Sequence, residues 1–80
     1  MTEPELKELI REVIPELQRN VESQEYAPHV GQIKIEVNEQ GWYFLYVWTG
    51  EQVLWYIGST LPAALQCVAR DLWHRYGKEI

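Results

Sequence analysis

Residues 41–58 read GWYFLYVWTGEQVLWYIG and contain seven of the ten aromatic residues of the chain. Residues 42–48 are all aromatic or aliphatic, with no polar residue at alternate positions, so a strand formed there is apolar on both faces. The polar stretch 49–52 then separates this run from a second apolar run at 53–57. The pattern predicts an antiparallel hairpin, because so short a connection joins antiparallel strands. Helices of a small domain can cover one face of such a hairpin and leave the other exposed or covered by a partner.

The segment before the hairpin predicts a third strand. Residues 32–37 alternate strictly, with Ile33, Ile35 and Val37 on one face and polar residues on the other. Residues 38–41, Asn-Glu-Gln-Gly, predict a turn, and the terminal glycine favours a type I turn followed by a left-handed bulge residue.

The geometry of that turn decides which face of the middle strand joins the core. With a bulge at Gly41, the three aliphatic residues share a face with Tyr43, Leu45 and Val47, and the opposite face carries the even-numbered aromatics. Without a bulge the parity reverses, because side chains alternate with a period of two. The glycine favours the bulge. Under either parity the middle strand shows one apolar face outside the core.

Two helices flank the strands. Thr2 and Glu5 fit a capping box, and an apolar stripe of helical spacing follows, which Pro15 interrupts with a kink or a break. Residues 22–29, which include Pro28, predict a connecting loop. Ser59 or Thr60 caps the second helix, and Gly77 is a natural stop. We therefore expect a helix at about 3–22, kinked near Pro15, strands at about 31–38, 42–49 and 53–58, and a helix at about 60–76.

This order predicts a single α+β domain over residues 1–80, arranged α-β-β-β-α. The sheet is expected to be a three-stranded antiparallel meander with both helices packed mainly on one face. The predicted core includes six aliphatic residues: Leu9, Val13, Leu45, Val47, Val68 and Leu72.

Composition restricts the classes of protein further. Cys67 is the sole cysteine, so no disulfide forms within the chain, and no signal peptide or membrane span is evident; we expect a cytoplasmic protein. Residues 1–40 hold nine Glu against four Lys or Arg, whereas residues 41–80 hold three acids and three bases. The acidic half repels phosphate, which disfavours binding to nucleic acid.

The sequence carries few candidates for catalysis. His29, His74 and Cys67 are isolated, glycines are scattered at turns, and Ser59 and Thr60 read as helix caps without a neighbouring base. We therefore predict no catalytic, cofactor-binding or metal-binding residues and no cofactor. The predicted activity is protein–protein interaction, as an accessory subunit, a regulator or a homodimer. The expected contact residues are aromatic: Trp42, Phe44, Tyr46, Trp48 and Trp55.

One enzymatic alternative remains. Gly41-Trp42-Tyr43, followed by residues 56–60, Tyr-Ile-Gly-Ser-Thr, at the start of a helix, resembles the core motif of GIY-YIG nucleases. The resemblance implies two active-site tyrosines on the hairpin, and Arg70 and His74, one helical turn apart, match the family's Arg and His. It departs from the family at Trp42, in the longer gap between the triplets, in the position of Arg70 about one turn further along its helix, and in the absence of a carboxylate at the metal-binding position. It therefore implies a partial or degenerate nuclease domain.

The predicted order also resembles that of the double-stranded RNA-binding domain, in topology alone. Members that bind RNA need lysines at the start of the last helix to contact phosphates. Residues 61–65 of this chain, Leu-Pro-Ala-Ala-Leu, carry no charge. We expect a protein partner or a second copy, and neither nucleic acid nor membrane.

Overall fold

Pro15 divides the first predicted helix into shorter segments. The structure, a computed structural model, describes residues 1–26 and 29–79. Helix α1 spans Glu3–Val13, a 3₁₀ turn spans Pro15–Leu17, and helix α2 spans Gln18–Glu22. Ile14 leaves the helical conformation, with φ −132° and ψ 73°, because a following proline crowds the α conformation of the residue before it. The break therefore lies where the proline predicts it.

Three strands form one antiparallel sheet in chain order. They are β2 (Val30–Val37), β3 (Tyr43–Thr49) and β4 (Val53–Gly58), with β3 in the middle. Ile35 lies opposite Leu45, and Leu45 lies opposite Tyr56. The register shifts between Val30 and Ile33, so both residues are buried although they lie three apart in the strand.

The turn between β2 and β3 contains the predicted bulge. Gly41 has φ +84°, a left-handed conformation that a side chain would oppose. The Gly41 N–H donates to the Asn38 carbonyl at 3.0 Å, and the Asn38 N–H donates to the Trp42 carbonyl at 3.0 Å. Asn38 Oδ1 further accepts from the backbone N–H of Trp42 at 2.8 Å. The bulge brings Val37 opposite Tyr43, so Ile33, Ile35, Leu45 and Val47 share the inner face.

Helix α3 spans Leu61–Tyr76 and packs against β3 and β4. Thr60 caps it, because its hydroxyl accepts a hydrogen bond from the Ala63 N–H at 3.3 Å. A second, two-stranded sheet was not predicted: β1 (Gln24–Glu25) pairs antiparallel with β5 (Lys78–Glu79). It ties the segment after α2 to the segment after α3. Strand β1 lies within the loop predicted at residues 22–29, and Pro28 of that loop lies outside the described residues.

The core lies between the inner face of the sheet and the helices. Leu45, Val47, Val68 and Leu72 are buried as predicted, whereas Leu9 and Val13 are half-buried at the rim of the core. On α1 the most buried positions are Leu6 and Ile10, one turn apart on the stripe that faces the sheet. The predicted fold class, an α+β arrangement with a three-stranded antiparallel meander, is confirmed.

Candidate functional site

The outer side of the sheet carries a continuous set of apolar side chains, which we call the aromatic face. Residues directly opposite each other on antiparallel strands project to the same side. Tyr46 lies opposite Trp55, Phe44 opposite Ile57, and Trp48 opposite Val53. These pairs place six residues on the aromatic face, and we include Trp42, which directly precedes β3 at the alternate position before Phe44. The aromatic face then comprises seven residues: Trp42, Phe44, Tyr46, Trp48, Val53, Trp55 and Ile57.

The structure brings together all five aromatic residues predicted as contact residues. Trp55 is 62% exposed, Trp42 43% and Trp48 37%, whereas Phe44 and Tyr46 are half-buried between them. The rings of Tyr46 and Trp48 lie 6.2 Å apart at a tilt of 38°. No helix covers this side in the described part of the chain, since α1 and α3 both pack against the core.

Two members of the aromatic face, Val53 and Ile57, were not predicted as contact residues. They are 47% and 43% exposed and flank Trp55 at alternate positions of β4. The alternation itself was visible in the sequence, because any residue two positions from Trp55 in a strand lies on its face.

The charged residues on β2 balance each other. Lys34 lies opposite Tyr46 and Glu36 opposite Phe44, so both lie on the outer side of the sheet. Lys34 Nζ and Glu36 Oε1 are 2.7 Å apart. The hydrogen bond that Lys34 donates to Glu36, together with the negative charge of Glu36, raises the pKa of Lys34, which therefore stays protonated. Because the two charges cancel, the aromatic face is close to electrically neutral.

A second candidate site is an open depression between β4 and α3. Tyr56, Arg70 and His74, three residues that the nuclease resemblance singles out, all line it, together with Asp71 and Arg75. Tyr43 is not among the lining residues; it lies half-buried at the edge of the core. The sequence alone could not show that Tyr56 approaches Asp71, because the two belong to different elements.

Hydrogen bonds fix the groups in this depression. The Tyr56 hydroxyl donates to Asp71 Oδ2 at 2.5 Å, and Arg75 Nε donates to the same oxygen at 2.8 Å. Burial and the hydrogen bond to Asp71 raise the pKa of Tyr56. Burial alone would raise the pKa of Asp71, but the hydrogen bonds from Tyr56 and Arg75 outweigh it and lower that pKa. At neutral pH the site therefore holds a neutral phenol and an ionised carboxylate.

Metal-binding and membrane-spanning features can be assessed for the same residues. Within 1–26 and 29–79, no three His, Cys, Asp or Glu side chains cluster in a way that could hold a metal ion. Cys67 is exposed on α3. The helices in this part of the chain all lack the length and apolar character that crossing a bilayer requires.

Both candidate sites, the aromatic face and the depression between β4 and α3, are formed by residues of this chain. When the chain is compared with protein-family models, with curated proteins and with solved structures, none of the three comparisons gives a match.

Proposed function

We propose that the protein acts by protein–protein contact through the aromatic face. The observation that carries this proposal is the contiguity of seven apolar side chains on the side of the sheet opposite the core. Large exposed apolar patches are uncommon on proteins that act alone in water and usually mark an interface. Tryptophan and tyrosine are also the residue types enriched among the energetically important contacts of interfaces.

The size of the aromatic face suits a modest interface. Its exposed apolar surface is on the order of 500 Å², from the exposed fractions of three tryptophans and four smaller neighbours. Two copies in contact would bury on the order of 1,000 Å² in total, about the lower limit for a specific interface. The expected affinity of self-association is therefore moderate rather than tight.

A second copy of the chain is the partner that we propose first. The chain has a net charge of −5, so two copies repel unless their acidic surfaces stay apart. The exposed acids Glu5, Glu8 and Glu12 lie on α1, which packs against the opposite side of the sheet. Two aromatic faces in contact would bring together neutral surfaces and place the acidic helices outermost. Contact with another protein, in an accessory or regulatory role, would use the same face in the cytoplasm.

Four tryptophans allow the contact to be located by NMR. Signals of the indole N–H groups are recorded with a soluble paramagnetic agent at low and at high protein concentration. We expect Trp42, Trp48 and Trp55 to become protected as the concentration rises, because the partner copy covers them. Trp73 is 52% exposed on α3 and serves as the internal control that stays accessible. Equal accessibility of all four at every concentration would contradict self-association through this face.

One observation favours a second candidate function. Tyr56, Arg70 and His74 line a single depression, as the resemblance to GIY-YIG nucleases implies. A phenol, a guanidinium and an imidazole together can bind a phosphodiester and move a proton during its cleavage. We rank this candidate second, because hydrolysis in that family depends on a metal held by a carboxylate, and Tyr56 is engaged with Asp71.

Cleavage of DNA separates the two candidates. Plasmid and single-stranded DNA are incubated with the protein in Mg²⁺ or Mn²⁺. If the protein acts by protein–protein contact alone, we expect no nicking of the plasmid. Nicking that is lost in Arg70→Ala, and retained in the control Arg19→Ala on α2, would establish the nuclease instead.

A further inference from the structure

A cavity of about 390 Å³ lies between the short helix α2 and helix α3. We call it the helix pocket. Its volume falls in the range of sites that bind small molecules. The lining combines aliphatic, aromatic and polar side chains, of which six matter here: Val21, Gln24, Tyr26, Ala69, Arg70 and Trp73. The aromatic face contributes none of its residues to this cavity, so the helix pocket is independent of contact through that face; it shares Arg70 with the depression between β4 and α3.

Gln24 is the feature of the helix pocket that most needs an explanation. Its side chain is 5% exposed, and its Oε1 atom has no hydrogen-bond partner in the described part of the chain. The backbone carbonyl of Gln24, in contrast, accepts a hydrogen bond from Lys7 Nζ. A buried acceptor without a partner destabilises a fold, so a glutamine at this position indicates a use that an apolar residue would not serve.

Arg70 supplies a charge at the same cavity. It is exposed on α3, and its guanidinium makes no ion pair with any side chain that the structure describes. By contrast, Arg75, five residues further along α3, is held by Asp71. A planar guanidinium presents parallel N–H donors that match the two oxygens of a carboxylate.

Two aromatic residues complete the lining. The Trp73 ring lies against the backbone of Gly77, where a β-carbon would approach Trp73 Cδ1 to 2.2 Å, and this contact restrains the indole. Tyr26 is buried, and burial together with the negative charge of Glu3 raises its pKa to about 12. The phenol therefore stays neutral and does not repel an anion. Flat apolar surfaces of this kind favour a planar ring.

From these observations we infer that the helix pocket binds a small aromatic carboxylic acid that carries a second polar group. The carboxylate pairs with Arg70, the ring lies against Trp73, and the polar group hydrogen-bonds the Gln24 amide. Each part of this ligand meets a group that is available for binding. Arg70 and Trp73 are exposed, and Gln24 Oε1 has no hydrogen-bond partner among the described residues.

The test uses 4-hydroxybenzoate as the probe and the full chain labelled with ¹⁵N. Titration is followed at the indole N–H of Trp73 and at the side-chain amide of Gln24. We expect saturable shifts of both signals. The neutral analogue 4-hydroxybenzyl alcohol should bind about tenfold more weakly, because it lacks the charge that Arg70 recognises. Absence of saturable shifts with 4-hydroxybenzoate, or equal affinity for the neutral analogue, overturns the inference.

Matched variants test the two polar groups. Arg70→Gln should weaken binding of 4-hydroxybenzoate about tenfold, whereas the control Arg19→Gln, on α2 and outside the lining, should leave it unchanged. Gln24→Met keeps the length of the side chain and removes the amide. It should raise the unfolding temperature and weaken binding together, because the buried acceptor without a partner is lost. A Gln24→Met protein that is less stable and binds equally well would assign Gln24 a purely structural role and overturn its part in the site. If this variant does not fold, the comparison of Arg70→Gln with Arg19→Gln decides the inference.

Discussion

Gly58 shows how a single residue controls the approach of α3 to the sheet. It is buried at the end of β4, and a β-carbon there would lie 2.5 Å from the backbone N of Ala64 and 2.9 Å from its Cα. Backbone atoms of a packed helix cannot move aside as a flexible side chain can. The glycine is therefore needed for close contact between the strand and the helix rather than for a special backbone angle.

We predict that Gly58→Ala destabilises the fold by about 1–3 kcal/mol or more, as overpacking of a core does. Gly50→Ala is the matched control, since no atom lies within 4 Å of its added β-carbon. Urea unfolding measures both. Equal transition midpoints for the two variants would show that β4 and α3 are further apart than described.

Tyr56→Phe isolates the hydroxyl that bonds Asp71. Its loss should cost about 1 kcal/mol and raise the pKa of Asp71 towards its ordinary value of 3.8. Because the folded pKa of Asp71 is lowered, its stabilisation is present above pH 3.8 and disappears as the pH falls through the lowered value.

A ¹³C NMR titration of the Asp71 carboxyl in both proteins provides the measurement. Tyr46→Phe, on the other side of the sheet, is the control that should leave the Asp71 titration unchanged. An identical Asp71 pKa in Tyr56→Phe and in the wild type would rule out the hydrogen bond in solution.

Residues in local motifs were predictable from the sequence, and residues in long-range contacts were not. A bulge at Gly41 was favoured over a turn without one, because glycine at the last turn position is typical of that bulge. Pro62 in the first turn restricted the helix cap to Ser59 or Thr60, and the structure shows that the cap is Thr60. The bond between Tyr56 and Asp71 depends on how separate elements pack, and so does the burial of Gln24 Oε1 without a partner among the described residues. No local pattern encodes that packing.

At the level of elements, α3 contributes one face to the core. Leu65, Val68 and Leu72 are fully buried, and Cys67 is exposed on the same helix. We predict that Leu72→Ala destabilises the fold by about 2–5 kcal/mol, a large part of the stability of so small a domain. Cys67→Ala, the control on the exposed side, should change stability by less than about 0.5 kcal/mol. Thermal unfolding of both variants provides the measurement, and an unchanged midpoint for Leu72→Ala would contradict the assigned face.

The strongly periodic elements were predicted closely, whereas the short strands β1 and β5 were not predicted. The sheet strands differ from the predicted bounds by a residue or so, because alternation and turn glycines mark their ends. Helix α2 and strand β1 lie in a region predicted as the end of a helix and a loop. Their two to five residues are too few to show a period, and β1 exists through its pairing with β5, far away in sequence.

For the whole molecule, the distribution of charge follows from the packing of the helices on one side of the three-stranded sheet. Glutamates of α1 lie on the helix side, and the opposite side of the sheet carries a neutral ion pair among aromatic residues. The sequence predicted an apolar face outside the core, because residues 42–48 offer one on each side. It could not decide which face that would be until the bulge at Gly41 set the parity.

Sedimentation equilibrium from low to high micromolar concentration tests self-association through the aromatic face most directly. The proteins are the wild type, Trp55→Glu on the face and Trp73→Glu, a comparably exposed control on α3. We expect the mass of the wild type and of Trp73→Glu to rise from the monomer value of 9.5 kDa towards twice that value. Trp55→Glu should stay monomeric, since a buried unpaired carboxylate opposes the contact. A wild-type mass of 9.5 kDa at every concentration, or a Trp55→Glu protein that associates as the wild type does, would contradict self-association through the aromatic face.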